Sequence, residues 1–123
     1  MKVNKELNLK YYADYMPCNC EDCQNYYEQI KEKFPNICYF LESINVDPLK
    51  PFELVFDEEN DWCVYYECQY LVFGKMEQNY KKVIDGIKVT QNKYFHPSAS
   101  IEEEHFVLCF GPIKLKKIKE ENK

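Results

Sequence analysis

The chain has 123 residues, the size of one globular domain, with 46% apolar and 16% aromatic residues. Its net charge of -5 argues against partners that are nucleic acids or membrane surfaces, because both require clustered positive charge. It lacks an apolar stretch of the about 18 residues that a membrane span requires, and its N-terminus lacks the apolar segment of a secretory signal. We therefore expect a single cytoplasmic domain over residues 1–123.

The N-terminal part of the sequence carries a strand signal, which is followed by two helical signals. Alternating Val3, Leu7 and Leu9 predict a short strand, followed by an aromatic-rich turn that ends at Pro17. Apolar residues then recur at steps of three and four, which predicts a helix with one buried face, at Cys20, Cys23, Tyr27, Ile30 and Phe34. Pro35 suits the start of a second helix. We therefore predict two short helices within about residues 18–45.

From about residue 51 to residue 118 the pattern is typical of β-structure. The longest β-type run extends from Trp62 to Gly74, and Asp85-Gly86 is a strong hairpin signal because it tolerates positive φ angles. A buried strand is predicted near 104–110 and a Lys-rich edge strand after it. Because no helix separates these strands, the sequence predicts an antiparallel sheet of about five to six strands. The expected fold is α+β, with the two N-terminal helices packed on this sheet.

Alternation along the longest run predicts two faces. The face that we assign to the core comprises Trp62, Val64, Tyr66, Cys68, Tyr70 and Val72. On the opposite face, Glu67 and Gln69 interrupt apolar residues, so we expect water or a ligand beside them. Tyr65, Glu67 and Gln69 are thus candidate ligand-binding residues, and plain solvent-exposed sheet is the alternative.

Seven cysteines in a reducing compartment are expected to be free thiols or metal ligands. Three of them, Cys18, Cys20 and Cys23, fall within six residues at a predicted helix start, a spacing that can place thiolates around one zinc ion. A fourth ligand from Cys68, His105 or Cys109 requires the end of its strand to lie beside that helix start.

Two other interpretations of the same cysteines remain open. Cys20 and Cys23 fit the buried stripe of the first helix, where a free cysteine acts as a small apolar residue. A dithiol redox site also matches the spacing of Cys20 and Cys23, but Glu21 and Asp22 between them are expected to raise the thiol pKa and so to oppose reactivity.

The sequence shows no other recognisable set of catalytic residues. The two histidines, His96 and His105, do not form a nucleophile pair with a cysteine on any predicted strand, and three glycines do not build a phosphate loop. Eleven tyrosines favour a binding or interaction module without enzymatic activity, whose partner is an unidentified protein or small molecule. The alternative function is a structural zinc site or a thiol-active protein that uses Cys18, Cys20 and Cys23.

Five segments distributed over nearly the whole chain carry a resemblance. They are Tyr15-Met-Pro-Cys-Asn-Cys, Cys23-Gln-Asn-Tyr-Tyr27, Asp47-Pro-Leu-Lys-Pro-Phe-Glu53, Cys68-Gln-Tyr-Leu-Val-Phe-Gly74 and Glu103-Glu-His-Phe-Val-Leu108. Together they resemble a small family of uncharacterised bacterial proteins, chiefly of Gram-positive type. The resemblance implies a bacterial origin and no mechanism.

Overall fold

One long strand dominates the architecture. The structure is a computed structural model that describes residues 1–77, 79–92 and 101–118. In chain order its elements are β1 (Lys2–Val3), α1 (Lys5–Asp14), α2 (Glu21–Lys33), α3 (Pro35–Ser43), β2 (Glu53–Glu59), β3 (Trp62–Lys75), β4 (Lys81–Ile84), β5 (Ile87–Gln91), β6 (His105–Phe110) and β7 (Ile113–Lys116). The α+β class is confirmed. The described residues form three helices and seven strands, instead of the two and five to six that we predicted.

The β3 strand pairs antiparallel with four other strands. Its first half lies between β2 and β7, and its second half lies beside β6, with β1 at its far end. The sheet continues from β6 to β5 and then β4. The predicted Asp85-Gly86 hairpin joins β4 to β5, with Ile84 paired to Ile87. The antiparallel arrangement is therefore confirmed among the described strands.

A β-bulge near the middle of β3 changes which side chains face the core. Val55 pairs with Glu67 but Phe56 pairs with Tyr65, so β3 contains one extra residue, Tyr66. The residues before and after a bulge can then point to the same side of the sheet. Tyr65 and Cys68 are both fully buried as a result.

The predicted core face is therefore wrong for the first half of β3 and right for the second. Cys68, Tyr70 and Val72 are buried, but Trp62 is 40% exposed and Tyr66 is 43% exposed. Their buried counterparts in the first half are Cys63 and Tyr65. On the other side of β3, Gly111 and Pro112 lie opposite the bulge and separate β6 from β7. Phe110 pairs with Cys68 before this break, and Ile113 pairs with Tyr65 after it.

The predicted turn before Pro17 is wrong, because α1 occupies residues 5–14. Asn4 caps this helix by accepting a hydrogen bond from the Leu7 amide. The helix buries Asn8 and Tyr12 rather than a row of aliphatic side chains, which is why hydrophobic periodicity does not reveal it. Asn8 Oδ1 accepts from the Phe73 amide over 2.8 Å, and Tyr12 donates to the Leu71 carbonyl over 2.6 Å. These two side chains provide hydrogen-bond partners for the backbone of β3 in the stretch between its pairing with β2 and its pairing with β1.

The main hydrophobic cluster joins helices and sheet. It includes Tyr26 and Ile30 of α2, Leu41 of α3, and Tyr70 and Leu108 of the sheet. Among the helices of the described residues, none combines the length and the apolar composition that crossing a membrane requires.

Candidate metal centre

The three clustered cysteines lie where the chain enters α2. Cys18 and Cys20 are exposed in the preceding segment, and Cys23 is buried in the first turn of the helix. Cys20 is the N-cap residue of α2, and its sulfur accepts a hydrogen bond from the Cys23 amide over 3.4 Å. The helix start therefore positions two of the three sulfurs by backbone geometry.

Two side chains of α2 hold the segment that carries Cys18. The Tyr27 hydroxyl donates to the Cys18 carbonyl over 2.5 Å, and Gln24 Nε2 donates to the Asn19 carbonyl over 2.8 Å. Each residue lies on the second turn of α2, so it reaches back to the chain that precedes the helix. Our sequence reasoning did not assign this role to either residue, and periodicity gives no signal for it.

The sulfur atoms of Cys18, Cys20 and Cys23 all lie within 4.8 Å of one another. A tetrahedral zinc ion with bonds of about 2.3 Å to sulfur separates its sulfurs by about 3.8 Å. Small rotations of exposed side chains can close that difference. The described residues thus bring together the three cysteines singled out by their spacing.

Local hydrogen bonds and burial act on these thiols in opposite directions. The Cys20 amide donates to Cys18 Sγ over 3.5 Å and holds the pKa of Cys18 below its ordinary value. Burial, and then the neighbouring sulfurs, raise the pKa of Cys23 far above its ordinary value. Three thiolates so close together repel one another, and a bound cation would remove that repulsion.

The structure does not bring the proposed fourth ligands to this group. Cys68 is fully buried in β3, Cys109 contacts Glu67 over 3.8 Å, and His105 Nδ1 lies 2.8 Å from the Glu103 carbonyl. Within residues 1–77, 79–92 and 101–118, the metal-ligating group consists of the three cysteines alone. His96 lies outside the described residues.

The candidate ligand-binding residues on β3 are separated by the bulge. Tyr65 is buried, where its hydroxyl donates to the Asp22 carbonyl over 2.6 Å. Glu67 and Gln69 remain together on the other side of the sheet, where Gln69 Nε2 donates to Glu67 Oε1 over 2.9 Å. Asn92 and Cys109 also contact this carboxylate oxygen, over 3.4 and 3.8 Å.

A shallow cavity of about 330 Å³ adjoins Glu67, and Tyr66, Thr90 and Cys109 also line it. Gln69 is only 3% exposed, and its Oε1 has no hydrogen-bond partner among the described residues. Burial, followed by the nearby Glu67 carboxylate, raises the pKa of Cys109 to about 12. The Glu67 carboxylate thus already accepts hydrogen bonds from protein donors. In the part of the chain that the structure describes, the cysteine cluster is the group of metal-ligating residues that converges.

Comparison of the chain with models of protein families, with curated proteins and with solved structures gave no match.

Proposed function

We propose that the protein is a non-enzymatic metal-binding protein of the cytoplasm, which holds one zinc ion or a similar thiophilic cation through Cys18, Cys20 and Cys23. The observation that carries the proposal is the convergence of the three sulfur atoms to within 4.8 Å of one another. Thiolates at such separations are the preferred ligands of zinc. A reducing compartment keeps them available for metal.

The surroundings of the cysteines favour a cation. Glu21 and Asp22 lie in the first turn of α2, directly between Cys20 and Cys23 in sequence. The Cys20 amide donates to Cys18 Sγ, and such a bond stabilises the thiolate form that a metal needs. The Tyr27 hydroxyl fixes the segment that presents Cys18, which lowers the entropy lost when the metal binds.

The fourth coordination position would take water or a small exogenous ligand, since the described residues supply three donors. Structural zinc sites have four protein ligands, whereas a site with three protein ligands keeps one position open for water or another ligand. The metal is therefore either carried by the protein or used to bind a further ligand. A purely structural role of the metal is the alternative, and Co²⁺ titration of the His96→Ala variant tests it.

Titration of the reduced protein with Co²⁺ tests the proposal. We expect one equivalent to bind and to give the intense thiolate-to-cobalt absorption in the near ultraviolet, and we expect one equivalent of Zn²⁺ to displace it. Single Cys→Ser variants at positions 18, 20 and 23 are each expected to weaken binding at least tenfold. Absence of stoichiometric binding at micromolar protein would refute the proposal.

Two further variants test whether residues outside the cysteine cluster contribute to metal binding. Cys109→Ser changes a half-buried thiol outside the cluster, and its Co²⁺ affinity is expected to equal that of the unmodified chain. His96→Ala tests the remaining histidine that could supply a fourth ligand. If His96→Ala weakens binding as much as Cys23→Ser does, the metal has four protein ligands and its role is structural.

A further inference from the structure

The first half of β3 presents an outward surface with an ordered charge pattern, which we call the outer face. Its centre is formed by Trp62 and Val64. In register with Trp62 lie Glu59 of β2 on one side and Lys116 of β7 on the other. In register with Val64 lie Asp57 and Lys114 on the same two sides. Each row across the sheet therefore contains an acidic, an apolar and a basic residue, in that order.

The β-bulge is the reason that this surface is apolar at its centre. Because Tyr66 is the extra residue, Cys63 and Tyr65 face the core, and Trp62, Val64 and Tyr66 face away from it. Trp62 and Tyr66 are each about two-fifths exposed, at 40% and 43%. Exposed aromatic residues along one strand face, here at its two ends with Val64 between them, are enriched in interaction surfaces.

The charges at the sides of the outer face have no partners of opposite sign within the described chain. Strands in a sheet lie about 4.8 Å apart, so the acidic and basic columns are about 10 Å from each other. Among the described residues, none of Asp57, Glu59, Lys114 and Lys116 forms a salt bridge. The Lys114 ammonium instead lies 5.3 Å from the centre of the Trp62 ring.

A second copy of the chain complements this pattern. Rotation by 180° about an axis parallel to β3, lying above the outer face, exchanges the acidic and basic columns while it keeps each row at the same height. Glu59 of one copy then lies opposite Lys116 of the other, and Asp57 lies opposite Lys114. The two Trp62 side chains meet at the centre, and the β3 strands run in the same direction, as in aligned sheet packing.

We infer that the outer face is the interface of a homodimer with this two-fold axis. The three strands over about four residues cover about 14 by 13 Å, which is smaller than the about 800 Å² per partner of a stable interface. The dimer is therefore weak and depends on protein concentration and salt. The inference is independent of the metal proposal, because the cysteine cluster does not contribute to this surface.

Sedimentation equilibrium from 10 µM to 1 mM protein tests the interface, with a reductant and a chelator present so that neither disulfides nor metal link the chains. At low salt we expect the mass to rise from 14.9 kDa toward twice that value. Trp62 is the only tryptophan, so its fluorescence should shift to the blue over the same concentrations. A mass that stays at 14.9 kDa throughout would overturn the inference.

Charge reversal identifies the surface and the axis. Glu59→Lys alone and Lys116→Glu alone each place like charges opposite each other, and each should raise the dissociation constant at least tenfold. An equimolar mixture of the two variants restores both opposite-charge pairs, so it should form a heterodimer as strong as the original dimer. Because these side chains are exposed, both variants should keep the circular dichroism spectrum of the unmodified chain.

Two results would overturn the assignment. A dimer that neither reversal weakens lies on a different surface. Reversals that weaken the dimer without rescue in the mixture would exclude this two-fold axis.

Discussion

The hydroxyl groups of Tyr26 and Tyr70 lie 2.7 Å apart in the core, where both side chains are fully buried. Tyr70 also donates to the Pro48 carbonyl over 2.7 Å. A hydroxyl has one proton, so Tyr26 must be the donor to Tyr70. The resulting chain runs from α2 through β3 to the loop before β2, and Tyr70 is its central member.

Removing the Tyr70 hydroxyl is expected to cost more stability than removing that of Tyr26. In Tyr70→Phe the Tyr26 donor and the Pro48 carbonyl both lose their partner, and each unsatisfied buried group costs about 1–3 kcal/mol. We expect a loss of about 3 kcal/mol in the free energy of unfolding, measured with urea. In Tyr26→Phe, Tyr70 keeps its bond to Pro48, so the expected loss is about 1 kcal/mol. Equal losses in the two variants would contradict this order of donors.

Much of the β-structure could be predicted from sequence. The alternation of residues 62–74 and the Asp85-Gly86 turn are local signals, and the structure has β3 and the β4–β5 hairpin in those places. The bulge at Tyr66 could not be predicted, because it depends on pairing with β2 rather than on the residues of β3. A one-residue shift moves every following side chain to the other face, which is why half of the predicted core face is wrong.

Gly111, opposite this bulge, is expected to tolerate no side chain. Its φ angle is 146°, and a Cβ atom added there would lie 2.4 Å from the Tyr66 carbonyl oxygen. Because that neighbour is backbone, it cannot rotate away, and we expect Gly111→Ala to cost about 3 kcal/mol or more.

Gly86→Ala is the matched control. Its φ angle of 75° is also positive, but an added Cβ atom meets nothing within 4 Å among the described residues. It should lose only the about 1–2 kcal/mol of left-handed strain. Thermal unfolding of both variants compares them directly, and equal losses would mean that the close contact at Gly111 is not limiting.

Glu67 is expected to matter for stability despite its position on a partly open sheet face. In Glu67→Leu the buried Gln69 amide loses its acceptor, which costs about 1–3 kcal/mol. Glu67→Gln keeps an acceptor oxygen and should lose less. Urea unfolding separates the two variants, and a silent Glu67→Leu would show that Gln69 finds another partner.

The candidate metal centre was predictable because its signal is local. Three cysteines within six residues at a helix start must be close in space, so spacing alone identifies them. The position of Tyr65 relative to Glu67 was not predictable, because the bulge separates residues that simple alternation places together. The long-range contacts of α1 were likewise hidden, since its buried Asn8 and Tyr12 are polar or amphipathic residues.

Metal affinity at the Cys18, Cys20 and Cys23 cluster should increase steeply with pH. A thiol must lose its proton before it binds metal, so each proton that is displaced adds up to tenfold in affinity per pH unit. Burial raises the pKa of Cys23, so this thiol is still protonated at neutral pH. Protons therefore compete with the metal for Cys23 above neutral pH as well. The pKa of Cys18 is lowered, so Cys18 should release its proton before Cys23 does.

Competition titrations with a chromophoric chelator from pH 6 to pH 9, together with proton release measured in weak buffer, check this prediction. We expect two to three protons to be released per metal ion near pH 7. Cys23→Ser removes the thiol whose pKa burial raises, so its remaining affinity should depend less on pH than that of Cys18→Ser. An affinity that does not change over this range would show that the three thiols are not the ligands.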